Sequence, residues 1–96
     1  MEFLAWCRFG RGDSGETYVE VALTDEEIDR MAAQDKEEGT FEECEAVRDI
    51  YDRVYEVAVN QITEELREAD KMGMAYLEDG QRADDVYAIG VNWPEN

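Results

Sequence analysis

Residues Thr40–Met72, TFEECEAVRDIYDRVYEVAVNQITEELREADKM, decide the fold of this chain. Apolar side chains recur every three or four residues along the stretch, which predicts one amphipathic helix with a continuous apolar stripe. A helix of about 30 residues in this stretch would be about 45 Å long at a rise of 1.5 Å per residue. It is the longest element that the sequence predicts, so the other elements are expected to pack on its stripe. The stripe contains Val47, Tyr51, Val54, Ala58, Ile62, Leu66 and Ala69.

Two predicted strands precede the helices. In Phe3–Phe9, successive side chains point to opposite sides, and both sides carry apolar residues, which favours a central strand. Thr17–Leu23 is expected to return antiparallel to it after a glycine-rich loop of about seven residues. The two strands together would form a hairpin.

Capping signals divide the chain from Thr24 to Met72 into two helices. Thr24 and Glu27 form the capping-box pattern, in which each side chain bonds an amide that the helix leaves free. Gly39 is expected to end this first helix as a left-handed cap. Thr40 and Glu43 repeat the capping pattern at the start of the long helix. The two helices would then be joined by a sharp turn.

The last predicted strand is Val86–Trp93, with Tyr87, Ile89, Val91 and Trp93 on one face. A fourth short strand over residues 74–77 is an open alternative. The order ββααβ predicts a single α+β domain over residues 1–96. In this fold, two helices, the second very long, cover one face of a small antiparallel sheet.

The predicted helix is longer than the strands that it covers. A strand of seven residues spans only about 23 Å, so a helix of about 45 Å would extend beyond the sheet by several turns. Either the helix is broken near Asn60–Gln61, or its free end packs on something else. A homodimer is the simplest arrangement that would cover it.

The composition excludes several classes of protein. A hydrophobic content of 44% is too high for a disordered acidic tail. A formal net charge of −17 disfavours direct binding to nucleic acid or to an anionic membrane. Because there is no signal-peptide pattern and no long apolar run, a cytoplasmic location is expected, with Cys7 and Cys44 as reduced thiols.

Residue patterns that would indicate an enzyme are missing from the sequence. Without histidine, the single serine has no base to activate it, and neither zinc nor di-iron sites have their usual ligands. The acids do not follow the spacing of a calcium loop, so no metal, cofactor or catalytic residue is predicted. Arg11-Gly12-Asp13 spells an adhesion tripeptide, but three common residues coincide often by chance.

The acidic residues carry the prediction of function, because residues 25–70 hold 17 acids and five bases. Arg48 and Arg53 are expected to offset the acids near them on the long helix. A merely solubilising surface mixes the two signs more evenly, so the sequence favours a surface that binds a basic protein. The candidate binding residues are Asp25, Glu26, Asp29, Glu45, Asp49, Asp52, Glu56 and Tyr55.

Three hypotheses follow from this surface. The first is a non-enzymatic module that binds a basic, nucleic-acid-binding protein and imitates nucleic acid. In size and charge, the chain resembles small inhibitors of this kind that phages and mobile elements carry. The second is a homo-oligomer assembled through the long helix that binds a small ligand or has a regulatory role. The third is an acidic housekeeping domain from a salt-adapted or acidic-proteome organism. An alternative binding surface is the open face of the sheet around Leu4, Trp6 and Arg8.

Overall fold

A computed structural model describes residues 1–9, 14–72 and 86–94, including all of their side chains except those of residues 69–72. The described part has the predicted α+β fold, with three strands and two α-helices. The residues of the adhesion tripeptide and of the fourth-strand alternative lie outside it. The elements are β1 (Glu2–Phe9), β2 (Ser14–Glu20), α1 (Asp25–Ala32), a 3-10 turn (Glu45–Val47), α2 (Arg48–Met72) and β3 (Val86–Val91).

The sheet has the order β2-β1-β3, and both pairings are antiparallel. The prediction that β1 is central is therefore confirmed. Its inward side chains Phe3, Ala5, Cys7 and Phe9 are all buried, because α2 covers this face. Strand β2 begins three residues earlier than predicted, since Gly15 still pairs with Cys7.

A bulge corrects the predicted inward face of β3. Cys7 pairs with Ile89 and Arg8 with Ala88, but Phe9 pairs with Val86. Tyr87 is therefore the extra residue of the bulge, and Val86 packs against the core in its place. Tyr87 is 67% exposed, so its prediction as an inward residue is wrong. A bulge shifts the two-residue alternation by one position, and the sequence pattern gives no sign of it.

The capping box at the start of α1 is confirmed. The Glu27 amide donates to the Thr24 hydroxyl at 3.2 Å, and the Thr24 amide donates to the Glu27 carboxylate at 3.0 Å. Such a cap typically contributes about 1 kcal/mol. The prediction that α1 continues to Gly39 is wrong, because its C-cap is Ala33.

A competing hydrogen bond and a lack of apolar burial explain why α1 ends before Gly39. The Asp35 carboxylate accepts the amide of Glu37 at 3.0 Å, which offers the backbone an alternative to the helical bond. Residues 35–40 are also exposed, so a longer helix would gain no apolar burial there.

The second capping pattern forms but does not start a helix. Thr40 and Glu43 exchange the predicted bonds, at 3.2 Å in each direction, yet they close a turn. The next residue, Cys44, is extended (φ −81°, ψ 101°), so α2 begins only at Arg48. The predicted sharp turn between adjacent helices is therefore replaced by a connection over residues 33–44. This connection places Phe41 in the core at 0% exposure.

Helix α2 carries the predicted apolar stripe. Every stripe residue from Val47 to Leu66 is buried, and Ile50 joins them; the side chain of Ala69 lies outside the described part. The helix runs unbroken through Asn60–Gln61 over 25 residues, or about 37 Å. From Val47 to Leu66 the described part of the buried stripe spans about 29 Å, against about 26 Å for the eight residues of β1. The length mismatch that suggested self-association is therefore smaller than the sequence indicates.

Candidate protein-binding surface

Two ion pairs join α1 to the first half of α2. Arg30 donates to both carboxylate oxygens of Asp49, at 2.8 and 2.7 Å. Arg53 donates to Glu27 at 3.0 Å. Since residue 30 meets residue 49 and residue 27 meets residue 53, the two helices run in opposite directions along this contact.

These bonds also hold the two carboxylates in their charged forms. The hydrogen bond from Arg30 lowers the pKa of Asp49. The hydrogen bond from Arg53, together with the amide of Thr24, lowers the pKa of Glu27. Both carboxylates therefore keep their charge, and with it the ion pair, to a lower pH than an unpaired acid would.

The remaining arginine of this region is also engaged. Arg48 lies 3.3 Å from the Asp52 carboxylate and donates to the backbone oxygen of Glu42 at 2.9 Å. The predicted pairing of Arg48 with an acid one turn away is confirmed. The expectation that Arg53 pairs within α2 is wrong, because Arg53 pairs with Glu27 of α1. Helical spacing alone could not identify this partner.

We use "acidic surface" for the exposed carboxylates of α1, the 3-10 turn and the first half of α2. All seven predicted acids belong to it, and all seven are exposed. Two of them, Asp49 and Asp52, are ion-paired with arginines of the chain itself. The other five form no ion pair within the described residues. These five are Asp25, Glu26, Asp29, Glu45 and Glu56.

Tyr55 lies at the side of α2, between the core and solvent. Its ring stacks on that of Tyr51 with centroids 5.7 Å apart, and it remains 36% exposed. Tyr51 itself is buried, and desolvation raises its pKa to about 12. Tyr55 therefore presents part of its ring to solvent, and the buried ring of Tyr51 supports the other part.

A second exposed surface lies on the outer face of the sheet, which α2 does not cover. The Trp6 indole lies directly over Gly90, where an added Cβ would come within 2.2 Å of the ring. The Arg8 guanidinium lies 5.2 Å from the centre of the same ring. Tyr18 is 55% exposed and pairs with Leu4. The alternative surface suggested by Leu4, Trp6 and Arg8 thus consists of neighbouring side chains.

No protein-family model, curated protein or solved structure matches the chain. Within the described ranges, no three His, Cys, Asp or Glu side chains are placed to hold a metal ion. None of the helices in this part of the chain has the length and apolar character needed to cross a membrane. Cys7 and Cys44 are free thiols. Function therefore has to be argued from the exposed surfaces.

Proposed function

We propose that this protein is a non-enzymatic module that binds a basic protein through its acidic surface. The observation that carries this proposal is the pairing of Arg30, Arg48 and Arg53 with acids of the chain itself. Each arginine neutralises one carboxylate, and the pairs of Arg30 and Arg53 also join α1 to α2. The five remaining acids have no such arginine within the described residues, so the acidic surface keeps negative charge that a partner rich in lysine and arginine would complement.

The antiparallel contact of α1 with α2 supports an imitation of nucleic acid. Asp25, Glu26 and Asp29 lie on α1, and Glu45, Asp49, Asp52 and Glu56 lie on the 3-10 turn and the part of α2 to which α1 is ion-paired. Along the axis of α2, Asp49, Asp52 and Glu56 are about 4.5–6 Å apart, whereas one DNA strand carries a phosphate about every 3.4 Å of helix axis. Asp49 and Asp52 are in addition paired with Arg30 and Arg48. The charge is thus less dense than in DNA. A basic protein that recognises negative charge, and not the exact spacing of phosphates, would therefore fit this surface best. Such a protein is the target that we propose for an inhibitor of the phage or mobile-element type.

The other hypotheses predict different behaviour. The hypothesis of a homo-oligomer assembled through α2 has less support than the sequence alone suggests, because the buried stripe of α2 is close in length to a strand. A housekeeping domain of a salt-adapted cytoplasm would retain no partner at any salt concentration. Binding of a basic protein predicts capture at low salt and release at high salt.

Charge reversal of the unpaired acids tests the proposal. We expect Glu45→Lys/Glu56→Lys to abolish capture of basic proteins from a lysate at low salt, because both side chains lie on the acidic surface. The readout is the captured protein, identified by mass spectrometry. Asp49 is a poorer choice, because Asp49→Lys would place a lysine against Arg30 and disturb folding as well as binding.

The matched control is Glu2→Lys/Glu16→Lys, which makes the same change in net charge at exposed positions of the sheet. This variant is expected to keep its partner. Equal loss in both variants would mean that only net charge matters. Capture that is unaffected by Glu45→Lys/Glu56→Lys would contradict the proposal and direct attention to the sheet face around Trp6.

A further inference from the structure

A cleft of about 210 Å³ lies between the connection that follows α1 and the residue Trp93 beyond β3. The indole nitrogen of Trp93 donates to the backbone oxygen of Gly39 at 3.0 Å. Its ring stacks on buried Phe41, with centroids 5.0 Å apart. Trp93 is thus held by a hydrogen bond and by ring stacking, and it is the one aromatic residue in the described lining of the cleft. No pattern in the sequence indicates this site.

Three carboxylates line the same cleft, from Asp35, Glu38 and Glu43, whereas no basic residue is among its described lining. Glu43 is held in place by the hydroxyl of Thr40 at 2.9 Å and the amide of Thr40 at 3.2 Å. These bonds lower its pKa, so Glu43 is charged at neutral pH. The cleft therefore attracts positive charge.

The kind of cation follows from the lining. The described carboxylates are not grouped closely enough to hold a metal ion, which needs several oxygen ligands within about 2.6 Å. An indole ring, in contrast, binds ammonium and guanidinium groups through its face. The cleft is smaller than the roughly 300–1,000 Å³ of sites for drug-sized ligands. It has room for one short alkyl chain with its charged head.

We infer that this cleft binds an alkylammonium or alkylguanidinium group, with Trp93 in contact with the cation and Asp35, Glu38 and Glu43 supplying the negative charge. Such a group occurs in free polyamines and in the lysine and arginine side chains of proteins. This inference does not depend on the acidic surface, because a small cation tests it without any protein partner.

Titration with 1,4-diaminobutane, observed through the indole N–H signal of Trp93 in NMR spectra, tests the inference. Trp6→Phe identifies the signal, and 1,4-butanediol is the uncharged control ligand. We expect a saturable shift with the diamine and none with the diol. Asp35→Asn/Glu38→Gln should weaken binding roughly tenfold, since each exposed ion pair contributes modestly. Glu45→Gln/Glu56→Gln removes the same charge elsewhere and should leave binding nearly unchanged.

Nα-acetyl-lysine amide carries the same butylammonium group in a peptide context and identifies the source. The blocked lysine is compared with butylammonium, which carries the same single charge. Tighter binding of the blocked lysine would indicate a protein side chain, and equal or tighter binding of butylammonium would indicate a free amine. Absence of a saturable shift with all three cations would overturn the inference. An equal loss of affinity in the two double variants would also overturn it, because binding would then reflect only the overall charge.

Discussion

Val54→Asp is expected to unfold the protein at 25 °C. Val54 is 0% exposed at the middle of the apolar stripe, where an ionised carboxylate would lose its hydration and find no counter-charge. Such a charge costs several kcal/mol, comparable with the total stability of about 5–15 kcal/mol expected for one domain. Circular dichroism should show loss of the helical signal and of the cooperative melting transition.

Two variants make this result specific. Val54→Ala removes only apolar volume and should destabilise by about 1–4 kcal/mol while leaving the protein folded. Asn60→Asp adds the same charge at an exposed position of α2, one turn from Glu56 and Glu64, and should cost at most about 1 kcal/mol from two like-charge pairs. Normal melting of Val54→Asp would mean that another face of α2 lies against the sheet.

Phe41→Ala is expected to lower the free energy of unfolding by about 3–5 kcal/mol. Phe41 is fully buried and contacts three aromatic rings, Phe3 at 5.7 Å, Tyr51 at 5.0 Å and Trp93 at 5.0 Å between centroids. Its removal would leave a cavity where the sheet, α2 and the connection meet. Urea denaturation followed by circular dichroism measures the change.

Tyr87→Ala is the reference for this prediction. Because Tyr87 is 67% exposed, this substitution should lower the free energy of unfolding by less than about 0.5 kcal/mol. Phe41→Leu keeps an apolar side chain and should fall between the two. A loss below about 1 kcal/mol for Phe41→Ala would contradict the position of the connection in the core.

The features that the sequence predicted correctly depend on neighbouring residues. The stripe from Val47 to Leu66 follows from helical periodicity, and the alternation in Phe3–Phe9 follows from strand geometry. The Thr24–Glu27 capping box involves residues only three apart. Thr40 and Glu43 show the limit of such signals. Their bonds form as predicted, but the extended backbone of Cys44 prevents a helix from continuing from them.

The features that could not be predicted depend on residues far apart in the chain. Arg53 has acids one turn away on α2, yet it pairs with Glu27 of α1, because packing brings α1 beside it. Tyr87 points outward and not inward because of a bulge in the pairing of β3 with β1. The cleft requires Trp93 to meet Gly39, a contact across 54 positions of sequence. The exposure of the seven acids could be predicted, but the division into paired and unpaired acids could not.

The association rate constant with the purified basic partner tests the proposed function most directly. We predict that this rate falls steeply between 50 and 500 mM salt, because opposite charges steer the encounter and salt screens them beyond about 8–10 Å at ordinary ionic strength. Glu45→Lys/Glu56→Lys should slow association at low salt, and duplex DNA should compete for the partner. An association rate that responds neither to salt nor to this double reversal would contradict a binding role for the acidic surface.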